Sequence, residues 1–229
     1  MLNLDKLFSF FAPHDCLLCG SEGSILCKKC MKTVEIKRSV CYECKEVYCF
    51  PACSQKSPIN RLYYVGLYED FYKKILLQLK YSSVQEAAVV MALLMARQVD
   101  KLPCPLITYS PTTASRTRTR GYDQSKLLAK NIAKINQQVF IKFLIRTSKT
   151  RQVGSSRINR LNQAKNSFRP INVGKLQGAH VLLVDDVLTT GATVEAAAST
   201  LKAFGAAQVD VLVFAIAKNK SGEKLPELV

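Results

Sequence analysis

Two groups of residues in this 229-residue chain are spaced for chemistry. The first is cysteine. Eight of the nine cysteines fall between residues 16 and 53, in close pairs: Cys16/Cys19, Cys27/Cys30 and Cys41/Cys44 at C-x2-C spacing, and Cys49/Cys53 at C-x3-C. Zinc prefers four thiolates in a tetrahedron, and two short knuckles supply them with little strain. The expectation is structural zinc at one or two sites. Sequential pairing gives Cys16, Cys19, Cys27 and Cys30 as one set and Cys41, Cys44, Cys49 and Cys53 as the other. Spacing leaves open an interleaved pairing, such as Cys16/Cys19 with Cys41/Cys44. His14 is near enough to substitute as a ligand but reads as a surface residue. Disulfides are disfavoured, because no secretory signal is evident and a reducing cytoplasm keeps thiols free. With two histidines in the chain, the mixed His/carboxylate sets of catalytic zinc are missing. Cys104 stands alone and reads as a small buried hydrophobe.

The second group is LLVDDVLTTGAT, residues 182–193. An apolar run meets two acids, Asp185 and Asp186, and then small hydroxyl residues and a glycine. The pattern predicts a strand ending at Val184 and a helix beginning near Gly191. The turn between them offers backbone N–H groups at the positive end of a helix, which is a phosphate site. Gly191 lets the backbone approach an anion, and Thr189, Thr190 and Thr193 add hydroxyl donors. Thr190 is also expected to cap the helix. Carboxylates repel phosphate, so the acids must serve a hydroxyl-rich part of the same ligand. A ribose 5-phosphate satisfies both halves. A Walker B strand is the rival, but the one Gly-Lys pair, Gly174-Lys175, has Arg169 where the first glycine belongs and Leu176 in place of Ser/Thr.

The elements that must hold these residues follow from periodicity. Strands are expected over 61–68, 106–109, 139–145, 181–184 and 208–217, with helices over roughly 70–80, 85–99 and 124–135. Another helix carries Val194, Ala197, Ala198 and Leu201 on one face and stops at Gly205. This alternation means an α/β fold with a mainly parallel sheet, whose ligands sit at the carboxyl ends of strands. Residues 1–57 read as a cysteine-rich zinc module and 58–229 as the α/β domain.

Composition narrows the partners. The chain carries a formal charge of +16, and residues 116–169 hold fourteen Lys/Arg against a single acid, Asp123. So one-sided a surface points to an anionic ligand. The longest apolar run, Ala87 to Ala96, is too short for a membrane span, which needs about 20 residues. The apolar start MLNLDKLFSFFAP reads as a docking segment, with peripheral contact at the inner face of the membrane as the alternative. The expected location is cytoplasmic.

The run VLLVDDVLTTGAT resembles the phosphoribosyl pyrophosphate (PRPP) loop of type I phosphoribosyltransferases. Four cysteine pairs, then Arg120-Gly121-Tyr122-Asp123-Gln124, then this loop, resemble the ComF family over nearly the whole chain. That family includes competence proteins linked to uptake of single-stranded DNA in natural transformation. The resemblance implies a type I phosphoribosyltransferase-like fold behind a small zinc-ribbon-like domain. It implies that Asp185 and Asp186 are the catalytic acids on the ribose hydroxyls. It gives the 5′-phosphate to Thr189, Thr190, Gly191, Ala192 and Thr193, and implies Mg2+ carried with PRPP. Arg120, with Arg116 and Arg118, would neutralise pyrophosphate, and Arg151, Arg157 and Arg160 would sit in a loop that closes over the site. Asp123 stands where the family usually has Asn, and Tyr109-Ser110-Pro111-Thr112-Thr113 where many members have a VPVP-like strand end. Single-stranded DNA, stacking on Tyr122, and a DNA-translocating helicase are the implied partners. The alternatives are a salvage nucleobase phosphoribosyltransferase and a non-catalytic nucleic-acid-binding protein on the same scaffold.

Overall fold

Strand pairing fixes where the acids of the 182–193 run end up. A computed structural model describes residues 15–35, 37–49, 53, 56–81, 84–103, 105–147 and 167–217. His14, Cys104, Arg151, Arg157, Arg160 and the N-terminal docking segment lie outside the described residues. The helices are α1 (Lys28–Thr33), α2 (Asp70–Tyr81), α3 (Val84–Ala96), α4 (Ala114–Arg120), α5 (Gln124–Ile135) and α6 (Ala192–Ala203). The strands are β1 (Val40–Cys41), β2 (Arg61–Leu67), β3 (Leu106–Tyr109), β4 (Leu144–Arg146), β5 (Phe168–Pro170), β6 (His180–Leu188) and β7 (Gln208–Ile216).

The main sheet has the order β1-β2-β7-β6-β3 and is parallel except for β1, which pairs antiparallel with β2. Side chains alternate across it, as strand geometry requires. Tyr63, Val65, Leu182, Val184, Leu212 and Phe214 face one core with α2, α3 and α5, while Leu62, Tyr64, Val181, Leu183, Val211 and Val213 face a second core with α6. β6 and β7 are apolar on both faces because both are covered.

Three expectations need correction. The strand carrying the acids does not stop at Val184. β6 runs on to Leu188, because β7 continues to pair with it through Asp185↔Val213, Val187↔Ala215 and Leu188↔Ile216. The acids therefore sit within the last residues of a hydrogen-bonded strand, which holds them more rigidly than a loop. Residues 139–145 do not form one strand of the sheet. Phe140 makes an isolated bridge to Ile107, and β4 pairs with β5 in a separate two-stranded ladder. Thr190 does not cap α6. Gly191 is the N-cap, with φ 81°, and no side chain caps it.

The cysteine-rich segment packs on the α/β layer instead of hanging free. β1 extends the main sheet, Ile25 N–H donates to Glu86 Oε1 at 2.7 Å, and Arg97 Nη1 donates to the Met31 carbonyl at 3.0 Å. Ile25, Leu26 and Val34 join the first core. No helix among the described residues is long and apolar enough to cross a membrane.

Candidate functional site

At the carboxyl ends of β3 and β6 lies a cavity of about 550 Å³. Asp185, Asp186, Thr189, Gly191 and Thr193 line it from one side, and Arg116, Arg120 and Arg146 from another. Thr190 and Ala192 are not part of its lining, and Arg118 faces elsewhere. The turn of β6 into α6 thus presents a helix start uncapped by any side chain directly beside two carboxylates. This is the arrangement that a ligand with both an anionic and a hydroxyl-rich end would satisfy.

The acids are held in place by the chain around them. Asp185 Oδ1 accepts from Ser125 Oγ at 2.6 Å and from the Asp186 N–H at 2.9 Å, and Asp186 Oδ1 accepts from the Val187 N–H at 2.7 Å. Burial and the adjacent Asp186 charge push the Asp185 carboxyl up to about 7, against the Ser125 and backbone donors that oppose the shift. Asp123 caps α5 with Oδ1 accepting from Lys126 N–H at 3.1 Å, while its Oδ2 accepts from Thr112 N–H at 2.9 Å. It uses two acceptor oxygens, where Asn would have one. The departure from the family's usual residue therefore ties the Ser110–Thr113 strand end to α5.

The arginines come from a helix that hydrophobic periodicity does not reveal. ASRTRTR forms α4, capped by Thr113, whose hydroxyl accepts from the Arg116 N–H, and ended by Gly121 at φ 79°. Arg116 and Arg120 are one turn apart and share a face, which is why both reach the cavity and Arg118 does not. Arg120 Nη1 donates to Gln124 Oε1 at 2.6 Å. Arg146, at the end of β4, was not singled out by its sequence context. Its guanidinium lies over the Phe168 ring at 5.1 Å, and burial together with the Arg116 charge pushes its pKa down. Like charges gathered in this way are relieved by an anion. Lys80 and Ser125 also line the cavity, beside Ser110, Thr112 and Gln124, and no sequence signal marks either of them as a site residue.

The eight paired cysteines form two clusters: Cys16, Cys19, Cys27 and Cys30, and Cys41, Cys44, Cys49 and Cys53, each with its sulfurs within 4.8 Å of one another. Pairing is sequential, so the interleaved alternative is excluded. The Sγ separations are 3.8 Å for Cys19–Cys27, 3.6 Å for Cys41–Cys49 and 3.8 Å for Cys44–Cys49. Four sulfurs about 2.3 Å from a tetrahedral zinc lie about 3.8 Å apart, whereas a disulfide needs about 2.05 Å. The donor set and spacing fit a metal. Burial opposes ionisation of Cys16, but N–H donors from Cys27, Cys19 and Leu18 outweigh it and bring the thiol down to about 6. The same balance at Cys41, with N–H donors from Cys44 and Glu43, gives about 7. Sulfur neighbours, Cys19 for Cys30 and Cys53 for Cys49 first, together with burial push these two thiols of the same clusters up to about 12. The metal-binding form, thiolate, is thus favoured at Cys16 and Cys41 and not at every ligand.

A mainly parallel sheet with paired acids and an open helix start at one strand end is the frame in which the family match falls. Residues 84–227 match the phosphoribosyl transferase domain family, and the chain belongs to it. Within that class it is a ComF-type protein, 32% identical over 224 residues to the DNA utilization protein YhgH of Salmonella typhi, covering 87% of this chain and 95% of that one. The protein of the same description from Escherichia coli (strain K12) is 29% identical over 222 residues with the same coverage. Among solved structures, the allosteric regulatory enzyme of purine biosynthesis is 20% identical, covering 55% of this chain and 25% of that chain, with a TM-score of 0.41.

Proposed function

We propose that the cavity at the end of β6 binds the 5-phosphoribosyl group of PRPP, in a ComF-type protein that handles incoming single-stranded DNA. The observation that carries this reading is the meeting of three chemistries in one cavity. Asp185 and Asp186 accept hydrogen bonds from ribose hydroxyls. The Thr189–Thr193 turn receives the 5′-phosphate on backbone N–H groups. Arg116, Arg120 and Arg146 face the pyrophosphate through charge-assisted hydrogen bonds. Mg2+, when bound, would neutralise pyrophosphate oxygens as that group leaves C1. The two cysteine clusters hold structural zinc.

This division of labour has a direct test. Arg116→Ala and Arg120→Ala are each expected to weaken PRPP binding about tenfold, the loss of one charge-assisted contact. Ribose 5-phosphate, which lacks the pyrophosphate, should keep its affinity to within about threefold in both variants. Isothermal titration of the two ligands reads the difference. Equal weakening of both ligands would contradict the assignment of the arginines.

The DNA reading is favoured by a second cleft, on the far side of α4. Arg118, Lys126, Lys130 and Lys142 line it, with the Tyr122 ring among them, and Arg146 borders both cavities. The Tyr122 hydroxyl donates to the Leu79 carbonyl, which fixes the ring as a stacking platform. With four or five phosphates neutralised, log affinity for an oligothymidylate should fall against log salt with a slope of roughly −3. Lys126→Glu with Lys130→Glu should flatten that slope. Fluorescence anisotropy across a salt series measures both, and salt-independent binding would count against this cleft.

A further inference from the structure

The second cysteine cluster reaches the phosphate turn through one side chain. Tyr42 lies between two of the cluster's cysteines, Cys41 and Cys44, and is 7% exposed. Its hydroxyl donates to Glu195 Oε1 at 2.9 Å. Glu195 stands in the first turn of α6, the helix whose open start faces the cavity. A β-carbon at Gly191 would lie 2.3 Å from the Tyr42 oxygen and 3.3 Å from Glu195 Oε1. The phenol is therefore flush against the turn, and the glycine serves this contact as well as any ligand. Tyr42 is itself held, with its N–H donating to the Asn60 carbonyl at 3.1 Å and the Lys45 ammonium 4.1 Å from its ring centroid.

A carboxylate in the first turn of a helix is drawn to the positive N-terminus. At this helix start, it would compete with a ligand phosphate for the same N–H groups. We propose that Tyr42 is a positioning residue of the sugar-phosphate site: it holds the Glu195 carboxylate aside and braces Gly191, so that the turn stays open to phosphate. The inference rests on the reading of that turn as a phosphate site. It gives the cysteine-rich segment a role in ligand binding, because the side chain that shapes the turn is anchored between two residues of a metal cluster.

The experiment is an isothermal titration of PRPP with Mg2+ into four zinc-loaded proteins: wild type, Tyr42→Phe, Glu195→Gln and the double variant. Zinc content and melting temperature are recorded for each. Tyr42→Phe keeps the ring and loses only the hydroxyl, so it should retain its zinc and bind about tenfold more weakly. Glu195→Gln should bind at least as tightly as wild type. The double variant should recover wild-type affinity to within about threefold, because no carboxylate is left to swing onto the turn. A purely structural role for Tyr42 predicts no such recovery. Wild-type affinity in Tyr42→Phe, or a double variant as weak as Tyr42→Phe, overturns the proposal alone. Absence of PRPP binding in wild type overturns the proposed ligand and this role together.

Discussion

Removal of zinc from the two cysteine clusters is expected to unfold the cysteine-rich segment and to expose the first core. The elements of the cysteine-rich segment are too small to stand without metal: α1 has six residues and β1 has two. Such short pieces need a staple, and structural zinc supplies on the order of 10–16 kcal/mol of apparent binding energy at neutral pH. The damage should spread. Ile25, Leu26 and Val34 pack in the same core as α2 and α3, and β1 covers the edge of β2. Without them that core faces water and a strand edge is left open to aggregation. A chelator titration followed by circular dichroism and a zinc-release dye should show two zinc ions leaving with loss of ellipticity and of the cooperative melt. Cys41→Ser should reproduce the effect of losing one ion. A metal-free protein that melts like the loaded one would contradict the structural role of the clusters.

Asp185→Asn is expected to stabilise the ligand-free protein at alkaline pH. The direction follows from linkage. The folded-state carboxyl, at about 7, lies above its ordinary value of 3.8, so folding favours the protonated form. The cost of ionising it appears as pH rises past about 4 and is complete above about 7. The wild type should lose stability relative to the Asn variant across that window. The gap at pH 8 should be on the order of 2–4 kcal/mol, and it should close near pH 4. Asn retains an oxygen for the Ser125 hydroxyl, so packing changes little. Paired denaturant melts at pH 4.5 and 8 read the effect, and the comparison between proteins cancels the pH dependence of the thiolates. An equal difference at both pH values would show that burial and Asp186 do not act on this carboxyl as described. The site thus stores a charge conflict that the proposed hydroxyl-rich ligand would relieve.

How much of this was legible in the sequence varies with the kind of signal. The β6 acids and the turn after them are contiguous, so their meeting at one strand end can be read from twelve residues. The cysteine pairs are equally local, and only the choice between sequential and interleaved sets needed three dimensions. The fully apolar run 181–184 of β6 declared itself as an interior strand, and 208–217 declared itself as a strand, while its place between β2 and β6 came only from the pairing. The extension of β6 through Asp185 and Asp186 did not, because two acids look like a strand end until the pairing with β7 is known. Helix α4 was hidden for a different reason. Its alternating arginines and hydroxyls bury no side chain, so no 3.6-residue pattern exists. The signals were its ends, Thr113 as N-cap and Gly121 after the last turn. Seeing them would have separated Arg116 and Arg120 from Arg118. Arg146 and Tyr42 carry no such local mark. Each belongs to its site through packing between segments far apart in the chain, and no spacing rule finds that.

The central claim is that the acids and the open helix start of α6 form one ribose-phosphate site. Its most direct test is the titration of PRPP with Mg2+ into zinc-loaded wild type and into Asp186→Asn. The account predicts saturable one-to-one binding by the wild type. It predicts a loss of roughly thirtyfold or more in the variant, the worth of a charged hydrogen bond to a ribose hydroxyl. Unchanged affinity in Asp186→Asn, or no binding by a folded, zinc-loaded wild type, would contradict it.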